Sequence, residues 1–101
     1  VCVCVCVCVC VCVCVLCLKL PPKAFNYRMH PDNLQILKEA NIDYVSLANN
    51  HTLDFCEPGM METMRSLDKV GIKWAGVGLN KESAEKPAVL DCKERRIIVF
   101  R

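Results

Sequence analysis

Two stretches of this chain, LKEANIDYVSLANN from Leu37 and LDKVGIKWAGVGLN from Leu67, follow the same plan thirty residues apart. Each closes a helical pattern, turns at Asn41 or Gly71, passes an isoleucine and an aromatic residue, and ends in a short apolar run. Asparagine and glycine are the residues that most readily take the left-handed conformation at a helix end. Helix, turn and strand repeated at this spacing are what crossovers between parallel strands require. The fold class expected is therefore α/β, a piece of a layered α/β sandwich, with no inference of duplication.

The rest of the element pattern is consistent with that frame. The approach KLPPKAFNYRMHPDN discourages regular structure until Pro31 opens a helix with Asp32 at its positive end. Leu34, Leu37 and Ala40 recur at helical spacing, and Asn41 ends that helix. Residues 42–48 are too short and β-branched for another helix and are expected as a buried strand. EPGMMETMRSLDKVG predicts a second helix, with Pro58 at the start, Met60, Met64 and Leu67 on one face and Gly71 as the stop. IKWAGVG is the next strand, and PAVLDCKERRIIVF predicts two strands, residues 88–92 and 96–100, about a charged turn at 93–95. Tyr44 and Trp74 take equivalent strand positions and are expected in the core.

Composition separates the chain into two parts. Of the ten cysteines in 101 residues, seven occupy every second position from 2 to 14, alternating with valine. Such alternation favours a strand with all its thiols on one face, where neighbouring thiols cannot pair without strain. The codons suggest another origin: valine is GTN and cysteine TGY, so an uninterrupted GT repeat translates as Val-Cys-Val-Cys. Residues 1–18 are accordingly expected to be low-complexity sequence outside the fold, with residues 19–101 as the domain. The uncharged run of residues 1–18 also reaches the lower length limit for a membrane anchor, a reading disfavoured because valine and cysteine are mediocre helix formers. No basic leader or small-residue cleavage site marks a secretory signal. The remaining Cys17, Cys56 and Cys92 are too scattered for a zinc pattern. A formal net charge of +2 gives no electrostatic bias toward nucleic acid or membrane.

The chemistry concentrates in SLANNHTLDF, residues 46–55. Ligands of α/β sheets bind beyond the carboxyl ends of strands, where loops can be polar while strands stay buried. Here Asn50 offers a neutral carbonyl oxygen, His51 an imidazole that can ligate a metal or carry a proton, and Asp54 a carboxylate. Hard oxygen donors beside a histidine suit a divalent ion that binds phosphate oxygens and activates water. The same residues can also serve structure alone: Asn49 and Asn50 as a turn, His51 satisfying backbone groups, Asp54 capping the next helix.

The span NYRMHPDNLQILKEANIDYVSLANNHTLDFCEPGMMETMRSLDKVGIKWAGVGLN, followed by KPAVLD, resembles the CapA family of capsule and poly-gamma-glutamate biosynthesis proteins. The domain of that family belongs to the calcineurin-like metallophosphoesterase superfamily. The resemblance covers residues 25–100, and its most specific core is SLANNHTLDF with Gly59 and the GVG after the next strand. It implies a four-layer α/β sandwich with metals at the strand ends and metal-dependent phosphoester hydrolysis, in which water is activated to attack phosphorus. It implies Asn50 as a ligand of a divalent ion such as Mn²⁺ and His51 as the group that stabilises or protonates the departing oxygen. Asp54 matches the motif aspartate, either as a further metal ligand or as the residue that orients the loop. The substrate implied is phosphorylated or polyanionic.

Departures from the family pattern matter as well. The family usually has glycine where this chain has Cys56. If that glycine takes positive φ, a cysteine there costs about 1 kcal/mol or more. Cys56 as a nucleophile is disfavoured because no basic neighbour marks it out. The early aspartate-bearing strand, an Asn-Leu-Glu type motif and later histidines of the superfamily are all missing from this sequence. His30 is the one other histidine, and beside Pro31 it is expected at a helix start. The expectation is therefore a partial domain with half a metal site, inactive alone, in which the parent hydrolyses phosphoesters. The competing class is a non-catalytic accessory that binds or helps export an acidic polymer. Lys93, Glu94, Arg95 and Arg96 are expected as a solvated turn, and Met60, Met61 and Met64 as helix packing.

Overall fold

The computed structural model describes residues 27–100. The readings that concern residues 1–18 and the proline-marked approach before Tyr27 lie outside them. A 3₁₀ turn, Pro31–Asn33, leads into α1, Leu34–Glu39. Then come β1, Tyr44–Ser46; α2, Cys56–Val70; β2, Lys73–Ala75; α3, Lys81–Ala84; and a hairpin of β3, Ala88–Cys92, and β4, Arg95–Val99. Helices and strands alternate as far as β3, as the repeated unit requires, and β3 and β4 follow one another as an antiparallel pair.

The two helix ends are built alike. Asn41 sits at φ 56° and Gly71 at φ 74°. Ile42 donates its N–H to Leu37 O at 3.0 Å, and Ile72 donates to Leu67 O at the same distance. The preceding residues close the tighter bonds, Asn41 N–H to Lys38 O at 2.9 Å and Gly71 N–H to Asp68 O at 3.1 Å. This double bond pattern satisfies carbonyls that a helix end leaves without partners. It also turns the chain so that each isoleucine drops into the core.

The strands that follow pair in parallel, with Tyr44 opposite Lys73, Val45 opposite Trp74 and Ser46 opposite Ala75. Alternation of side chains divides their burial between two faces. On one side Val45 joins Leu34, Leu37, Leu67 and Ile72 of the helical layer. On the other, Tyr44 and Ala75 pack with Ala88, flanked by Leu90 and Val99 of the hairpin. A parallel pair covered on both faces needs apolar residues on both, which explains why these strands read as continuous apolar runs.

Several boundaries differ from expectation. Residues 42–48 were expected as one strand, yet ladder pairing spans only Tyr44–Ser46. Ile42 and Leu47 are buried outside it, so the apolar run reports burial rather than strand length. The second helix begins at Cys56, placing Pro58 inside the first turn, where its missing N–H costs nothing. Ala40 is exposed and Trp74 is half-buried, its Nε1–H donating to Asp68 Oδ1 at 2.9 Å. α3 was not anticipated; Asn80 and Ser83 cap it reciprocally. Among the described residues, no helix is long and apolar enough to cross a membrane.

Candidate functional site

The loop between β1 and α2 winds through consecutive turns. Asn49 N–H donates to Leu47 O, Thr52 N–H to Asn49 O, Asp54 N–H to His51 O and Cys56 N–H to Leu53 O. The Thr52 hydroxyl donates back to Leu47 O, tying the loop to the end of the strand. Asn49 adds a side-chain turn, its Oδ1 accepting from the His51 N–H at 2.9 Å. The structural role weighed for this asparagine pair therefore falls on Asn49, which leaves Asn50 exposed at the lip.

His51, Asp54 and Asn50 come together. Asp54 is fully buried, and a buried carboxylate is tolerated only with partners. His51 Nδ1 lies 2.8 Å from Asp54 Oδ2, and the Tyr27 backbone N–H donates to the same oxygen at 2.9 Å. Because a carboxylate can only accept, Nδ1 carries the proton toward it and Nε2 presents its lone pair on the opposite side of the ring. Asn50 Nδ2 lies 3.4 Å from that Nε2. Asp54 does not cap α2, whose N-cap is Phe55 and lacks a side-chain bond.

Between this loop and the β2–α3 connection lies an open cleft of about 710 Å³, lined among others by Leu47, Asn49, Asn50, Leu53, Gly76 and Gly78. Its far wall carries Val77 and Ala84 together with two glycines that cannot be replaced without a clash. At Gly76, with φ 98°, an added Cβ would sit 2.6 Å from Ala48 Cβ. At Gly78 it would collide with Ser83 Oγ and lie 2.5 Å from Ala84 N. The strand ends thus approach too closely for a side chain at Gly76, and α3 packs too closely for one at Gly78.

Cys56 opens α2 at φ 61°, the left-handed region that favours glycine, the conformation in which a cysteine was expected to carry a cost. His30 serves as the cap of the 3₁₀ turn, its Nδ1 accepting from Asp32 N–H at 3.2 Å. The charged tip of the hairpin is solvated, with Arg96 Nε 3.1 Å from Asp91 Oδ1 on the surface. Tyr27 was missed from sequence, since nothing local marks a residue that meets its partner 27 positions later.

For a divalent ion, the described residues supply part of a donor set. Asn50 offers an amide group at the mouth of the cleft, a neutral hard-oxygen donor of the right kind. Asp54 lies behind His51, away from solvent. Among the described residues no group of three or more His, Cys, Asp or Glu gathers in metal-holding geometry.

The sequence profile of the Bacterial capsule synthesis protein PGA_cap matches residues 14–101. A Mycobacterium tuberculosis protein named "Probable polyglutamine synthesis accessory protein" is 40% identical over 78 residues, which cover 76% of this chain and 20% of that protein. An uncharacterized protein of Sinorhizobium fredii is 39% identical over 64 residues, 63% of this chain and 14% of its own length. The "PGA biosynthesis protein CapA" of Bacillus subtilis is 26% identical over 68 residues, 67% of this chain and 18% of its own. The chain therefore spans between 14% and 20% of the length of these curated relatives. With the SLANNHTLDF loop seated at a strand end and this match along most of its length, the chain belongs to the bacterial capsule synthesis PGA_cap family, the family of CapA.

Proposed function

We propose that this chain supplies one side of a metal-dependent phosphoesterase site, completed in a longer polypeptide of the length its relatives have. The observation that supports it most is the His51–Asp54 pair at 2.8 Å, held at the end of β1 beside Asn50. Asn50 would hold the ion through its amide oxygen, and Asp54 would act through His51 rather than on the ion. When bound, a divalent cation such as Mn²⁺ polarises phosphoryl oxygens and lowers the pKa of water.

The residues of this chain do the rest. Asp54 keeps the Nδ1 proton directed inward and stabilises the ring when it gains a second proton. His51 Nε2 then donates that proton to the departing oxygen. The cleft between the first loop and the Gly76–Gly78 wall leaves room for a chain-like substrate to lie across the strand ends. The substrate class is a phosphorylated or polyanionic molecule.

The test is hydrolysis of a generic phosphodiester and monoester with Mn²⁺ by the longer polypeptide. His51→Ala should lower kcat by about a hundredfold, the usual scale for losing a general acid. Unchanged kcat would reject the role given to His51. A second reading has one supporting observation, the word "accessory" in the name of the mycobacterial relative. In that reading the same cleft binds an acidic polymer without cleaving it. Polymer binding that survives the loss of Mn²⁺ affinity, with no hydrolysis, would favour it.

A further inference from the structure

Tyr27 reaches the candidate loop twice, although it stands outside the motif. Its backbone N–H donates to Asp54 Oδ2 at 2.9 Å, the oxygen that also meets His51 Nδ1 at 2.8 Å. Its ring meets the imidazole in a T-shaped contact, with centroids 4.5 Å apart and planes at 83°. The residue is 53% exposed and belongs to neither apolar cluster of the described residues. Its ring contact with His51 therefore ties it to the site.

We infer that Tyr27 is a positioning residue for His51. The Nδ1–H···carboxylate bond fixes the position of Nδ1, and the ring contact adds a restraint on the plane of the imidazole, because a T-shaped pair has a preferred mutual angle. The same residue steadies the carboxylate by giving its bonded oxygen a second donor, which a buried charge requires. One residue therefore fixes both the acceptor and the plane of the ring, and Nε2 is held toward Asn50. The inference deepens the proposed site: its consequence for a reaction rests on that reading, while its geometric claim does not.

The experiment is ¹⁵N NMR of the histidine side chains of the 101-residue chain at alkaline pH, where imidazoles are neutral. His51 should appear as a single Nδ1–H tautomer. His30, whose Nδ1 accepts from the Asp32 N–H, should show the opposite one and serves as an internal reference. Tyr27→Phe should leave His51 unchanged, because the hydroxyl has no part in the argument. Tyr27→Ala keeps the backbone N–H and the Asp54 acceptor, so the tautomer should stay Nδ1–H. What should change is the mobility of the ring, the ¹³C order parameter of the His51 ring C–H groups falling from about 0.85 to below about 0.6, with the amide signals of Leu67 and Ile72 confirming an intact core. An unchanged ring order parameter in Tyr27→Ala would overturn the inference. Should that variant fail to fold, hydrogen exchange in the wild-type chain decides: the Tyr27 amide should exchange at least about tenfold more slowly than in an unstructured peptide, and free exchange would overturn the inference. Absence of hydrolysis by the longer polypeptide would defeat the proposed function while leaving these readouts standing.

Discussion

The two helix-turn-strand units share a scaffold and part company only after their strands. Leu37 and Leu67, Asn41 and Gly71, and Ile42 and Ile72 do the same work at the two helix ends. Asn50 and Asn80 then occupy matching positions with different employment. Asn80 accepts from the Ser83 N–H at 2.8 Å and is spent on capping α3. Asn50, at the lip of the cleft, stands beside His51 instead. The scaffold sets residues up to the strand end, because burial on two faces leaves little choice there. The loops beyond it are free to differ, and there one unit carries titratable chemistry while the other offers close-packed backbone.

The largest expected effect tests the far wall of the cleft. Gly76→Val adds a branched side chain at φ 98°, where its Cβ would meet Ala48 Cβ at 2.6 Å. Positive φ and overpacking together should lower the unfolding free energy by about 4 kcal/mol, read as a shift in the urea midpoint. A loss below about 1 kcal/mol would mean that the two strand ends are not as close as the comparison requires.

A smaller effect tests the division of labour between the two asparagines. Asn80→Ala removes the cap of α3 and should cost about 1 kcal/mol in the same measurement. Its Mn²⁺ affinity in the longer polypeptide should stay within about twofold of wild type, since its side chain is committed to Ser83. An affinity loss as large as the one expected at position 50 would erase the distinction drawn between the units.

Much of this comparison was legible in the sequence, for a physical reason. The spacing of Leu37, Asn41 and Ile42 against Leu67, Gly71 and Ile72 encodes helix stop and burial locally, and the hairpin strand at Ala88–Cys92 falls where alternation placed it. α3 was missed because its segment is polar and only four residues long, although Asn80 followed three residues later by Ser83 is a capping signal. The start of α2 shifted because proline is tolerated throughout a first helical turn and so does not mark its first residue. At the site, the motif named Asn50, His51 and Asp54, and the structure brings them together. It gave no hint that Asp54 would be fully buried with a second donor from Tyr27, because that bond depends on how distant segments meet. The positive φ of Cys56 was legible only through the resemblance, which implies a glycine there.

The claim on which the rest depends is that the side chain at position 50 holds a cation. Calorimetric titration of Mn²⁺ into the longer polypeptide and its Asn50→Ala variant tests it most directly. The account predicts at least about a tenfold weaker affinity in the variant, the scale expected for losing one ligand or its immediate support, with stability unchanged. Equal affinity in the two proteins would contradict it.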